Sequence, residues 1–262
     1  MNSAGVLNGA VSFATATWFH IRDLSRETSD VALNLITPVF YACIAYFLYV
    51  AGGRQHNLLN LMIGVGLMGM WSTIMFGAGT VIKAQRHQGT LEFLLGSPKK
   101  FSSIVIPITT AASVFGAASM LLTCLWGVLV FDVRVAPADV AGMTLAAVVT
   151  TLSMGAFGLL VAALFVQARR AESLASPMIA PLWMVSGIMV PVSGLFEPLR
   201  PVSRILPMSW GAEAVRAAAA GSPYLPQLAW CAAVGLVYLF VGSWAINVVA
   251  KRSRHKGEVN LW

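Results

Sequence analysis

The sequence predicts an all-α integral membrane protein with six transmembrane helices, and three observations lead to this fold class. Of the 262 residues, 58% are hydrophobic and only 10% are charged, whereas soluble domains average about 25% charged residues. The charged residues fall in short clusters, separated by long windows that contain no Lys, Arg, Asp or Glu. Each window exceeds the ~20 residues that a helix needs to cross a bilayer. The composition therefore disfavours a soluble enzyme, a disordered chain and a fibrous protein.

Residues 1–27 are predicted to form an amphipathic helix that lies in the membrane interface. Polar side chains interrupt this segment too often for a span, and charged residues follow it. Its apolar side chains recur at helical spacing on one face, at Leu7, Val11, Ala14, Trp18 and Ile21. A disordered tail is the alternative. A secretory signal is disfavoured because no Lys or Arg precedes the apolar residues.

The spans themselves are predicted at residues 31–52, 57–82, 103–131, 140–167, 174–194 and 227–250. Dense apolar runs of this length indicate helices, because barrel strands would be about 10 residues long with alternating polarity. The three cysteines lie within these runs, at Cys43, Cys124 and Cys231. They are interpreted as small buried hydrophobes, so neither a disulfide nor a metal site is predicted.

The distribution of basic residues predicts that both termini lie in the cytoplasm. In this orientation the cytoplasmic segments hold most of the Lys and Arg, including Lys99, Lys100 and the cluster over 251–256. The outer segments hold the remaining arginines, Arg54, Arg134, Arg200, Arg204 and Arg216. An excess of positive charge marks the cytoplasmic side. We therefore predict a multi-pass protein of the cytoplasmic (inner) membrane.

The loop between the second and third spans contains a short predicted helix. Thr90 is placed to cap it, and Gly96 with Pro98 ends it. Its apolar face consists of Leu91, Leu94 and Leu95. An apolar patch on a charged loop indicates docking against another protein. The alternative, equally supported by composition, is a loop folded back under its own bundle.

The segment between the fifth and sixth spans is rich in proline and contains apolar residues at near-helical spacing. Two pairs at i,i+3 spacing, Glu197 with Arg200 and Glu213 with Arg216, are expected to offset each other's charge. Short broken helices that dip into the outer leaflet are predicted, provided that protein covers their free backbone groups. An ordinary extracellular loop is the alternative.

No catalytic constellation is found in the sequence. It has no P-loop string, no H-E-x-x-H and no histidine inside a predicted span. We predict no catalytic residue, no metal site and no nucleic-acid partner.

No charged residue lies inside a predicted span either, which disfavours ion-coupled carriers because these place charges near the midplane. The polar residues of the spans are uncharged and are expected mostly to bond neighbouring helices: Asn34, Thr37, Asn60, Ser72, Thr73, Thr109, Thr110, Thr123, Thr150, Thr151 and Asn247. Energy for any transport would then come from a partner.

Two stretches resemble the ABC-2 type transporter permeases. Residues 88–98, Gln-Gly-Thr-Leu-Glu-Phe-Leu-Leu-Gly-Ser-Pro, are similar to the G-T-L-E-x-L-L-x-[ST]-P string that follows the family's second span. Residues 186–191, Ser-Gly-Ile-Met-Val-Pro, followed by 206–208 and 212–216, resemble the stretch before its last span. Two features depart from the family pattern. Leu206 replaces the usual asparagine, and the run over 83–88 lacks the acidic residue that often precedes the glycine.

The resemblance implies the membrane half of an ABC exporter. Two copies would pair as a homodimer in the lipid, and two separate ATPase subunits would bind beneath and use the ATP and Mg²⁺, while this chain binds no cofactor. Residues 88–97 would be the coupling helix, and the ATPase contacts would be Gly89, Thr90, Leu91, Glu92, Phe93, Leu94 and Leu95. Leu91 and Leu94 are expected to carry the docking.

The resemblance also assigns the two remaining segments. Residues 1–27 would be the connecting helix, and 195–222 a re-entrant hairpin between helices five and six. The hairpin would include Glu197, Arg200, Pro207, Glu213 and Arg216.

The expected substrate is hydrophobic or amphiphilic, such as a drug, a natural product or a lipid-like molecule. Polysaccharide or lipo-oligosaccharide export is one alternative, and a non-transporting membrane scaffold or immunity subunit is another. The first, second and fifth spans resemble the dimer-facing spans of the family. Their candidate path residues, for which packing is the alternative role, are Asn34, Phe40, Trp71, Phe76, Met184 and Met189.

Overall fold

A computed structural model describes most of the chain. The described residues are 3–26, 28–53, 58–87, 89, 93–94, 100–133, 140–167, 180–189, 192–194 and 196–256. Within these ranges the chain is helical and contains no strand.

The helices follow one another along the chain, separated by short turns. They are α1 (Ser3–Arg26), α2 (Thr28–Ala51), α3 (Leu58–His87), α4 (Ser102–Phe131), α5 (Val140–Gln167), α6 (Arg200–Ile205), α7 (Pro207–Ala219) and α8 (Leu225–Lys256). Residues 180–185 form a further helical segment. Two 3₁₀ turns, Val192–Gly194 and Glu197–Leu199, lie between that segment and α6.

Four described helices are long and apolar enough to cross a membrane. Their apolar stretches are Leu58–Met75, Ser102–Phe131, Val140–Leu164 and Leu225–Arg252. α2 has a shorter apolar stretch, Ile36–Ala51. An integral membrane α-helical fold is therefore supported, while the first and fifth of the predicted spans stay predictions.

The predicted fifth span ends earlier than expected. The helical segment stops at residue 185, whereas the sequence predicted a span to 194. The Ser186 N–H donates the last helical bond to Leu182 O at 2.9 Å. Gly187 then adopts φ 75°, a left-handed conformation that ends helices and that glycine adopts without a steric penalty.

Small residues let the helices approach closely. α8 packs along α5, and α7 packs against both. Gly235 of α8 lies so close to the side chain of Ser153 that a Cβ there would clash with it, and Gly211 of α7 meets Thr150 in the same way. Close approach at small residues is how membrane helices associate without a hydrophobic driving force between them.

α1 packs against α4, but with a different face from the one predicted. Thr17, His20 and Leu24 are half-buried, whereas Val11 and Trp18 of the predicted apolar face are exposed. The apolar face is thus left for the membrane interface, and a partly polar face packs against the bundle. A hydrophobic pattern cannot tell which of these two surroundings will cover a given face.

Candidate functional site

The described helices meet at one end of the bundle in a compact apolar cluster. We call this the loop-end cluster, and its buried members are Phe101, Val105, Leu159, Ala162, Ala163, Val166, Ile246 and Ala250. They come from the start of α4, the end of α5 and the end of α8. The loop that resembles a coupling helix meets the bundle here.

Leu94 of this loop faces inward. It is half-buried and packs against the loop-end cluster. Gly89, earlier in the loop, adopts φ 68°, which marks a turn after α3. Thr90, Leu91, Glu92 and Leu95 lie outside the described residues, so their predicted docking roles stay predictions.

Phe93, the neighbour of Leu94, faces outward and is 81% exposed. A large apolar side chain with this exposure loses hydrophobic stabilisation unless another molecule covers it. The two interpretations left open by the sequence therefore each describe one residue of the loop. Leu94 folds back against the bundle, and Phe93 is offered to a partner or to the interface.

Asn247 joins α8 to the start of α4. Its Oδ1 accepts a hydrogen bond from the Ser102 backbone N–H at 3.0 Å, and its Nδ2 donates to Ser102 Oγ at 2.9 Å. Because Asn247 stands alone as an amide in the long apolar run of α8, the sequence marked it only as a polar span residue. Its partner is 145 positions away, and only the fold identifies it.

Most of the other described polar span residues do not bond neighbouring helices, contrary to expectation. The hydroxyls of Thr73, Thr110, Thr123 and Thr150 each donate to the carbonyl four residues earlier in the same helix. In apolar surroundings this local acceptor is always within reach of a threonine. Thr151 is different, because its hydroxyl also lies 2.9 Å from Met70 Sδ of α3.

The predicted path residues separate into two groups. Phe40, Met184 and Met189 are exposed at the surface of the single chain. Trp71 is 2% exposed and packs against Phe157 in the core, with ring centroids 5.3 Å apart. Trp71 thus has the packing role that the sequence left as its alternative. The side chains of Asn34 in α2 and Phe76 in α3 lie outside the described part of the structure.

The ion pair observed in the proline-rich segment differs from the one predicted. Glu213 pairs with Arg204, whose Nη1 lies 2.7 Å from Glu213 Oε2, and not with Arg216. The Arg204 guanidinium also lies over the Trp210 ring, 4.2 Å from its centroid. Trp210 in turn stacks on Trp230 of α8 at 5.6 Å. Pairing across α6 and α7 is possible because the chain turns at Leu206, between the two helices.

Arg216 reaches into the bundle. Its Nη1 donates to Gly187 O at 2.7 Å, and its Nη2 donates to Ile188 O. These carbonyls follow the end of the helical segment 180–185, where the helix dipole favours a cation. Gly64 of α3 faces both Ile188 O and the guanidinium, and its missing side chain leaves them room. A charge from outside the predicted spans thus lies beside an apolar stretch that has none of its own.

The remaining residues of the predicted hairpin are at the surface or in the core. Glu197 and Arg200 are exposed, and Pro207 is buried at the start of α7. Among the described residues, no group of three His, Cys, Asp or Glu side chains is close enough to hold a metal ion.

A model of the protein family described as ABC-2 type transporter matches residues 11–219. The match starts within α1 and ends with the last residue of α7. It therefore includes the loop with Phe93 and Leu94 as well as Arg216. No curated protein matches the sequence.

Proposed function

Because the chain belongs to the ABC-2 type transporter family, we propose that it is the permease subunit of an ATP-driven exporter. The chain is a transmembrane permease component and not itself an ATPase. In the proposal a separate ABC ATPase, present in two copies, binds at the loop-end cluster and consumes ATP and Mg²⁺. The observation that carries this proposal is Phe93, an exposed apolar residue beside the inward-facing Leu94.

The division between Phe93 and Leu94 gives the loop two functions in the proposal. Leu94 holds the loop on the bundle, so that a force applied to the loop reaches the helices. Phe93 supplies the apolar contact for the ATPase groove, a role that the sequence gave mainly to Leu91 and Leu94. Glu92 and Gly89 remain proposed ATPase contacts beside it.

The proposed substrate is a hydrophobic or amphiphilic molecule. The described path candidates Phe40, Met184 and Met189 are uncharged and exposed, which suits an apolar substrate better than a sugar chain. Export of a polysaccharide or lipo-oligosaccharide, and a scaffold or immunity role without transport, are the competing functions. A transport or resistance assay with the ATPase present separates them.

The proposed assembly is a homodimer of six-span subunits in the cytoplasmic membrane, with residues 195–222 as a re-entrant hairpin. An exposed apolar stripe on α2 supports a role for this helix at the dimer face, and its residues are Ile36, Phe40, Ile44, Phe47 and Leu48. The stripe follows the helical repeat, so its side chains form one continuous surface.

Replacing Phe93 tests the ATPase contact directly. We expect Phe93→Asp to reduce co-purification with the ATPase at least tenfold, because burying a phenylalanine contributes about 1.5–3 kcal/mol. Phe196→Asp is the matched control, since Phe196 is similarly exposed but lies in the proline-rich segment. Both variants add one charge at an exposed site.

Two outcomes decide the assignment. Loss of the ATPase from Phe93→Asp alone supports the docking role of the loop. Wild-type recovery of the ATPase with Phe93→Asp refutes the assignment, and equal loss with both variants indicates a general effect of added charge.

A further inference from the structure

α4 begins without a capping side chain of its own. The residue at its N-cap position is Phe101, which has no polar group and makes no side-chain cap. The first N–H groups of a helix have no partner within the helix and need one from elsewhere. In an apolar setting an unpaired N–H is costly. The start of α4 therefore depends on a donor or acceptor from another element.

Asn247 of α8 supplies that partner. Its amide oxygen accepts from the Ser102 N–H, and its amide nitrogen donates to the Ser102 hydroxyl. Both ends of the amide are thus used on one residue, which fixes its distance and orientation. Ile246, beside Asn247, is fully buried in the loop-end cluster, so the two bonds lie at the edge of an apolar region. Hydrogen bonds between helices in such surroundings contribute to their association.

The loop is consequently held at both of its described ends. Leu94 packs against the loop-end cluster, and Ser102 is bonded to Asn247. Both attachments involve the cluster to which α8 contributes Ile246 and Ala250. A displacement of the loop therefore acts on α8 as well as on α4.

The other end of α8 contacts the proline-rich segment. Trp230 stacks on Trp210 of α7, and Cys231 Sγ lies 3.4 Å from Pro207 O. Trp230 and Asn247 are separated by about 25 Å of continuous helix at 1.5 Å per residue. One rigid element thus touches the loop at one end and the 207–210 region at the other.

We propose that Asn247 is a positioning residue that makes α8 follow the loop, so that ATPase movement reaches the segment containing α7. This role rests on the proposed function, because it takes the loop to be the ATPase contact. Asn247 touches neither ATP nor substrate in this proposal. It acts by fixing the start of α4 to α8. If the pair only held two helices together, its loss would change stability but not the response to nucleotide.

The first experiment tests the joint and needs no partner. Hydrogen exchange is measured on the purified full chain and compared with the Asn247→Leu, Ser102→Ala and double variants. We expect Asn247→Leu to accelerate exchange at residues 102–104 at least fivefold. Ser102→Ala should have a smaller effect, because it keeps the backbone bond, and the double variant should resemble Asn247→Leu.

Thr123→Val is the matched control for this experiment. It removes a buried hydroxyl whose bond stays within α4, so exchange at 102–104 should not change. Unchanged exchange in Asn247→Leu would overturn the proposed joint, whatever the function of the chain.

The second experiment tests the use of the joint in the complex with the ATPase. Exchange over residues 220–225, between α7 and α8, is compared with and without a non-hydrolysable ATP analogue. We expect a nucleotide-dependent change in the wild type and in Thr123→Val, and its loss in Asn247→Leu with the ATPase still bound. Ser102→Ala, the milder change, should show a partial response.

Each result has a defined consequence. A full nucleotide response in Asn247→Leu, or none in the wild type, overturns the proposal that α8 carries the movement. Failure of the wild-type chain to bind any ABC ATPase refutes the proposed function instead, and the first experiment then still decides whether the joint exists.

Discussion

At the scale of single residues, Arg216 shows how a short helix brings charge to a region whose own sequence has none. The guanidinium bonds two carbonyls that follow the helical segment 180–185, and Glu213 is already paired with Arg204. Moving a cation away from water is costly unless its donors are satisfied. The partial negative charge of a helix C-terminus offsets part of that cost. Arg216 therefore fixes where this helix ends.

Replacing Arg216 should destabilise the bundle. Arg216→Met leaves Gly187 O and Ile188 O without their donors, and we expect a loss of about 2–4 kcal/mol of stability, since bonds to charged groups contribute about 1.5–3 kcal/mol each. Arg216→Lys keeps the charge but not the paired geometry, so its loss should be intermediate. Thermal unfolding in detergent measures both.

Lys100→Met is the control for this prediction, because Lys100 is an exposed cation. Its midpoint should match that of the wild type. If Arg216→Met unfolded at the wild-type temperature, the bonds to the two carbonyls would make no net contribution.

At the scale of elements, α1 shows that an amphipathic helix has two apolar environments to choose from. Its exposed face, with Val11 and Trp18, is left for lipid, whereas Thr17 and His20 lie on the face that meets α4. Burial lowers the pKa of His20 from its ordinary value of 6.5, and the nearby Asp23 opposes this shift less strongly. The docked helix therefore favours neutral histidine.

The docking of α1 should consequently depend on pH. Below about pH 6.5 the undocked helix binds a proton that docked His20 resists, so the free energy of docking falls as the pH is lowered towards the pKa of the docked state. We expect amide exchange in α1, corrected for the intrinsic pH effect, to accelerate between pH 7.5 and 5.5. The His20→Gln variant, which cannot titrate, should lose this dependence. An identical pH response in both proteins would show that another group is responsible.

At the scale of the whole molecule, the loop-end cluster places the start of α4 beside the ends of α5 and α8. Consecutive spans run in opposite directions, so this arrangement follows from their order in the chain. The 220–225 turn precedes α8 and therefore lies at the opposite end of that helix from Lys251. These two positions report on the orientation of the molecule in the membrane.

Cysteine labelling can determine that orientation. Ser222→Cys and Lys251→Cys both introduce a thiol at an exposed position. With both termini inside, we expect a membrane-impermeant reagent to label position 222 from outside intact cells and position 251 only after permeabilisation. The wild-type chain, with Cys43 and Cys124 half-buried and Cys231 buried, provides the background. The reverse pattern would invert the proposed topology.

The sequence predicted some of these features from local patterns and missed others that depend on distant partners. The loop was recognised from its glycine, its apolar residues and its following proline, but the same pattern did not reveal that Leu94 would face inward. That choice depends on the apolar ends of α4, α5 and α8, which meet only in the folded chain. Likewise, i,i+3 spacing predicted a pair between Glu213 and Arg216, whereas the turn at Leu206 brings Arg204 to Glu213.

The sequence by itself determined that this is a helical membrane protein of the ABC-2 type, because length, low charge and the loop motif are local properties of the chain. It also determined that the apolar stretches carry no charge of their own. Only the tertiary structure decided that Asn247 caps α4 and that Arg216 ends a neighbouring helix. These contacts join residues far apart in sequence, and a buried amide or guanidinium finds its partner only when packing removes it from water.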